Sequence, residues 1–162
     1  MKVTYSWRHR QLPPPKMVLL KKMVRKIVEL CLLSLAEHEL TIMFVGDKKM
    51  TEINHAYLGH TGTTDVISFC YLETTEPLLP DETAVELIVG VDVAMREGTE
   101  RDDSSYAAEL TLYIVHGLLH AAGEDDLEPE AAQRMRQQEK RVMTALAQEF
   151  VFDDIFPATS IV

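Results

Sequence analysis

The chain has 162 residues, 46% of them hydrophobic, and carries 26 acidic against 16 basic side chains for a formal charge of -10. That length and apolar content suit one globular domain with a real core. The acidic balance excludes a protein that holds nucleic acid by a generally basic surface, because neutralising phosphates needs clustered Lys and Arg; any RNA contact must be local. Two cysteines, Cys31 and Cys70, are too few for a disulfide framework and read as buried, reduced thiols. A charged N-terminus and the lack of an apolar run of ~20 residues predict no membrane segment and a cytoplasmic location.

In chain order, residues 2–7 alternate as a first strand, and Pro13, Pro14 and Pro15 punctuate before a helix. From Lys16 to about Glu37, apolar Leu20, Val24, Ile27, Cys31 and Leu35 recur at helical spacing. The outer face of that helix gathers Lys16, Lys21, Lys22, Arg25 and Lys26, either a solvated face or a contact for RNA phosphates or an acidic protein. Residues 40–45 read as a strand, Gly46 and Asp47 as a turn and cap, and 48–57 as a short helix with Met50, Ile53 and Tyr57 inward. A polar loop over 59–64 precedes a strand at 65–71, and a proline-bearing loop at 73–83 precedes an apolar, buried strand at 86–93. Asp102, Asp103 and Ser104 offer caps for a helix to about Ala122, and Glu128 and Pro129 start a last helix to about Phe150. The order predicts an α/β or α+β layer fold, a small mixed sheet covered by helices. Residues 1–150 form its domain, and 151–162 a C-terminal tail for which packing, a partner or disorder are all open.

The chemistry concentrates at His116-Gly117-Leu118-Leu119-His120 and the exit turn Gly123-Glu124-Asp125-Asp126. Histidines four apart share a helix face, about 6 Å apart along the axis at ~1.5 Å per residue, so both imidazoles can converge on one point. Gly123 supplies a left-handed stop that lets Asp126 double back toward them. Two imidazoles and a carboxylate make an open site suited to one zinc ion with a fourth position left for water. Glu109 and Tyr113 extend the same face and are candidate partners for the unused ring nitrogens. Gly117 costs a helix interior about 1 kcal/mol relative to Ala, which predicts close approach of a neighbour. It also argues against a zinc peptidase, whose His-Glu-x-x-His motif needs a glutamate there.

Two segments together resemble the YbeY family of metal-dependent endoribonucleases and ribosomal RNA maturation factors. They are Asn54 and Tyr57 with Thr64-Asp65-Val66-Ile67-Ser68-Phe69, and downstream His116-Gly117, Leu119-His120, Gly123 and Asp125. The likeness runs in order from about Leu40 to Glu139, with Gly90 and the stretch from Met135 also fitting. It implies a small mixed sheet with surrounding helices and a zinc ion held by three histidines in a cleft. This chain departs from it with Asp126 in place of the third histidine, Glu124 in place of an aromatic residue, and Leu58 in place of an arginine that engages substrate phosphate. Gly90-Val91-Asp92 also stands where the family reads Gly-Asp. A carboxylate is an acceptable zinc ligand, but it acidifies bound water less than imidazole would. Leucine cannot replace a bidentate guanidinium, and His60, Lys48 and Lys49 are the candidates to compensate.

Two readings follow. In the first, the protein is a zinc-dependent, single-strand-specific endoribonuclease in small-subunit ribosomal RNA processing and ribosome quality control, using metal-activated water on a phosphodiester. His116, His120 and Asp126 are the ligands, Asp125 orients them from outside, and Asn54, His60, Ser68, Lys48 and Lys49 contact RNA. In the second, it is a ribosome-assembly or RNA-binding factor whose nuclease activity is weakened or lost through Leu58 and Asp126. Both readings imply RNA in the pre-ribosomal small subunit as partner, with a ribosomal protein or assembly GTPase as a further candidate.

Overall fold

A computed structural model describes residues 1–72 and 76–158. The elements run β1 (Lys2–Arg8), α1 (Met17–Leu30), β2 (Glu39–Val45), α2 (Asp47–Leu58), β3 (Val66–Cys70), β4 (Thr83–Gly90), α3 (Val91–Glu100), α4 (Tyr106–Ala121), α5 (Pro129–Glu149) and α6 (Phe152–Ile155). The sheet order is β1-β2-β4-β3. Strands β1, β2 and β4 are parallel, while β3 lies antiparallel to β4 at the edge. The result is an α+β fold with a mixed sheet, as the sequence predicts.

Strand alternation divides the interior between the two sheet faces. Leu40, Ile42 and Phe44 of β2 join α1, α4, α5 and α6 in the main core. Val45 and Met43 face the other way, where α2 lays Met50 and Ile53 against Ile67 and Ile88. Helix α4 is buried almost all round, which makes it the central helix of the fold.

Several boundaries depart from the sequence reading. The first helix stops at Leu30, because Leu32 (φ 55°) and Ala36 (φ 49°) turn left-handed. Cys31 and Leu35 are buried as expected, but from the loop that returns the chain to β2. Tyr57 is 70% exposed rather than inward, and Asn54 takes the buried position beside Met50 and Ile53. Cys70 is exposed, whereas Cys31 is buried.

Strand β4 begins at Thr83 and ends at Gly90, so Val91 and Asp92 open α3 instead of continuing the strand. Val91 and Ala94 bury one side of that helix, and a Cβ on Gly98 would lie 2.4 Å from the backbone nitrogen of Tyr106. Helix α4 is capped by Ser105, whose Oγ accepts from the Ala108 N–H at 3.1 Å, and not by the three residues before it. Pro129 opens α5 as predicted. The C-terminal segment packs as far as it is described: Ile155 and Phe156 are buried, and Phe156 stacks edge-on against Phe44 at 5.9 Å. Residues 159–162 and 73–75 lie outside the described residues. No helix among the described residues is long and apolar enough to cross a membrane.

Candidate metal centre

Helix α4 is held against the sheet at Gly117, where an added Cβ would meet Leu87 Cδ2 at 2.7 Å and Val66 Cγ2 at 3.3 Å. This is the close approach that a glycine in mid-helix predicted. Ser68 Oγ on β3 donates to the Gly117 carbonyl at 3.0 Å, tying the edge strand to the same turn. His116 and His120 flank that contact and line a cleft of about 290 Å³ with Leu58, Ser68, Cys70 and Ala121.

The exit turn delivers the third side chain. The Glu124 N–H donates to the Leu119 carbonyl and the Gly123 N–H to the His120 carbonyl, both at 3.0 Å, with Gly123 at φ 103°. That pair of bonds is a Schellman stop, and it turns the chain back over the end of α4. Asp125 Oδ1 accepts from the Leu127 N–H at 2.9 Å, which closes the next turn. Asp126 is thereby presented to the histidines, its Oδ2 3.6 Å from His116 Nε2 and its Oδ1 3.7 Å from His120 Nε2. The two Nε2 atoms are 3.0 Å apart.

Three donors in this arrangement could hold a metal ion. Ligands about 2.0–2.1 Å from a tetrahedral zinc stand roughly 3.3–3.5 Å from one another. The two Nε2 atoms are 3.0 Å apart, and they lie 3.6 and 3.7 Å from the two oxygens of Asp126, close enough for one cation to be shared by the three side chains.

His116 Nδ1 is bonded to Glu139 Oε1 of α5 at 2.5 Å. A carboxylate there accepts from Nδ1–H, which keeps that proton on Nδ1 and leaves the Nε2 lone pair facing the shared point. The same bond, with the charges of Glu139, Asp65 and Asp126, raises the His116 pKa against the opposing effect of burial. Glu109 and Tyr113, expected as partners of the histidines, are engaged elsewhere. Glu109 accepts from Ser104 Oγ at 2.7 Å, and Tyr113, its own pKa raised by burial and by Glu109, bonds to that carboxylate.

The legible signal for Glu139 was its place on the buried stripe of α5. Met135, Val142 and Leu146 are that helix's buried residues, and Glu139 is the carboxylate spaced among them.

The model of the family described as Endoribonuclease YbeY matches residues 10–147. The chain belongs to the YbeY family. Among curated YbeY endoribonucleases, the protein of Alkaliphilus oremlandii is 30% identical over 129 residues, covering 77% of this chain and 85% of that one. The protein of Syntrophus aciditrophicus is 31% identical over 129 residues, covering 78% and 79%. The solution structure of TM1509 from Thermotoga maritima shares the fold, with a TM-score of 0.59 at 20% identity across 98% of this chain and 99% of that one. The span matched to the YbeY family contains all three candidate ligands and Glu139, and stops short of α6.

The remaining predicted site residues separate into three places. Ser68 and Leu58 line the cleft beside the two histidines, Leu58 being 45% exposed. Asn54 and His60 belong to a neighbouring cavity of about 680 Å³ walled by the 59–64 loop, which shares Leu58 and Val66 with the cleft. Asn54 is only 3% exposed and spends its Nδ2 on the Gly62 carbonyl at 3.1 Å, so it holds the loop. Lys48 and Lys49 are at the opposite end of α2, in a separate cavity. Asp125 faces solvent and serves the turn, its Oδ1 accepting from the Leu127 N–H and not from a candidate ligand.

Proposed function

We propose that this protein is a zinc-dependent, single-strand-specific endoribonuclease that matures small-subunit ribosomal RNA in the cytoplasm and takes part in ribosome quality control. Residues 1–150 are its hydrolase unit, and one zinc ion is its cofactor. The observation that carries the reading is the convergence of His116, His120 and Asp126 at the end of α4, backed by Glu139, at the floor of an open cleft.

When bound, zinc would supply a Lewis acid that polarises a water and a phosphodiester oxygen. The chain's own residues provide the rest. Glu139 fixes the ring and tautomer of His116, so that its Nε2 faces the point it shares with His120 Nε2. Asp126 contributes an anionic oxygen where a third imidazole would have been neutral. Ser68, tied to the Gly117 carbonyl, gives the cleft a fixed hydroxyl wall. His60, exposed on the 59–64 loop, is placed to contact a phosphate, and Asn54 acts by anchoring that loop through Gly62. A pre-ribosomal small subunit is the partner, and a ribosomal protein or assembly GTPase would recruit the factor.

Cleavage of single-stranded RNA by the metal-loaded protein tests the reading. The wild type is expected to cut, His116→Ala to be inactive, and Leu58→Arg to cut faster by supplying a phosphate contact. An inert wild type beside an active Leu58→Arg/Asp126→His variant would instead favour an assembly factor with degenerate catalysis.

A further inference from the structure

Four cations converge on a cavity of about 540 Å³ outside the carboxyl ends of β1 and β2. Ligand crevices in open sheets with parallel strands form at that end. Arg8 and Arg10 come from the end of β1 and the residues after it, and Lys48 and Lys49 from the first turn of α2. All four are exposed.

The carboxylates around the cavity are mostly committed. Asp47 is paired with Arg96 at 2.5 Å, and Asp92 accepts from His9 Nε2 and the Asp47 N–H, both at 2.8 Å. Glu52 approaches Lys49 at 3.8 Å. Arg8, Arg10 and Lys48 form no ion pair among the described residues. Unpaired cations around a concave surface suit an anionic group that brings its own charge.

The cavity shares Lys49 with a groove along α2 that leads toward the metal cleft. Lys49, Ile53 and Tyr57, four residues apart, line a groove between α2 and the sheet, and Leu58 then borders the cleft. Tyr57 stands out from this groove, 70% exposed, with its ring edge-on to Phe69 at 5.7 Å. An exposed aromatic face between a cationic cavity and a hydrolytic cleft matches a strand that alternates phosphates with stacking bases. An acidic polypeptide would use the cations but has no need of the ring.

We infer that Arg8, Arg10, Lys48 and Lys49 form a second RNA-phosphate site, which seats the strand one helix length away from the metal cleft while a base stacks on Tyr57. The inference rests on the nuclease reading and adds the direction in which the RNA runs. From Lys48 to Leu58 the axis of α2 spans about 15 Å at ~1.5 Å per residue. The scissile bond therefore lies a few nucleotides from the anchored phosphates.

The test is fluorescence anisotropy with a labelled single-stranded RNA of about 12 nucleotides, with chelator present so that nothing is cut, at salt between about 50 and about 200 mM. Arg10→Glu/Lys48→Glu is expected to weaken binding at least about tenfold at the lower salt and to flatten the salt slope by about 1.4. Tyr57→Ala should weaken it by about tenfold without changing that slope. Lys22→Glu/Arg25→Glu, an equal charge change on α1 across the sheet, should cost less than about twofold.

Equal loss from the α1 variant, or unchanged binding by Arg10→Glu/Lys48→Glu, overturns the proposal. Polyglutamate competing as well as the RNA assigns the cavity to an acidic protein and overturns it too. Cleavage by the metal-loaded wild type is scored separately. A protein that cuts RNA but binds it independently of these cations contradicts the second site alone, and one that binds through them without cutting contradicts the nuclease reading alone.

Discussion

Glu139, on a different helix, bonds to His116 Nδ1 and so sets which ring nitrogen faces the candidate site. Replacing such a carboxylate typically costs about 10–100-fold in metal affinity. Glu139→Gln is therefore expected to lose zinc about 10–100-fold more readily in competition with a chromogenic chelator, while its unfolding midpoint stays close to that of the wild type. Equal zinc affinity would remove Glu139 from the account. The candidate ligands were legible in the sequence because His116 and His120 are local: four residues on a helix fix their geometry. Asp126 was legible one step further out, because Gly123 marks where the helix must stop. Glu139 was not legible as a partner, since its contact with His116 depends on how α5 crosses α4. Glu109 and Tyr113 share the face of α4 but bond to each other and to Ser104, a local alternative that spacing alone could not rank.

At the scale of elements, two glycines set how closely α4 can approach its neighbours. At Gly117 an added Cβ meets the end of the Leu87 side chain, which can give, whereas at Gly98 it meets the Tyr106 backbone, which cannot. Overpacking costs about 1–3 kcal/mol, against about 1 kcal/mol gained by alanine in a helix. Gly117→Ala should thus cost roughly 1 kcal/mol and Gly98→Ala clearly more, as read by urea denaturation. The reverse order would mean that the contact between α3 and α4 is looser than described.

The N-terminus of α3 carries the other sensitive element. Burial would raise the Asp92 pKa, but bonds from His9 and the Asp47 N–H, with the charges of His9 and Arg96, outweigh it and hold the carboxyl below its ordinary value. Between the folded and unfolded values the unfolded chain binds more protons, so stability rises with pH there. The contribution is complete above about pH 4 and is lost as pH falls through the lower, folded value. Asp92→Asn should cost at most about 1 kcal/mol at neutral pH, because water screens a side chain this exposed. Its deficit against the wild type should vanish on acidification, and a constant deficit would point to packing. The boundary at Gly90 also explains why residues 91–93, the start of α3, read as strand: Val91 and Val93 prolong an apolar run, and an added Cβ on Gly90 would lie 2.9 Å from the Thr64 carbonyl, a contact that only the fold reveals.

For the molecule as a whole, the parallel core of β1, β2 and β4 and the edge position of β3 place the metal cleft and the cationic cavity at opposite ends of α2. A net charge of -10 conceals that separation, because the acidic groups beside the histidines suit a cation while the groups at the strand ends suit an anion. The α+β class was legible from the alternation of strand and helix patterns. The burial of Ile155 and Phe156 was not, because a short apolar segment at the end of a chain looks the same whether it docks or dangles.

The account turns on whether His116, His120 and Asp126 hold one zinc ion together. Zinc K-edge absorption spectroscopy of the full-length protein after loading and desalting tests this most directly. The account predicts close to one zinc per chain in a low-coordinate nitrogen and oxygen shell with two imidazoles, and a shell reduced by one imidazole or emptied in His120→Ala. Zinc that washes out of the wild type, or a shell with the same two imidazoles in His120→Ala, would contradict it.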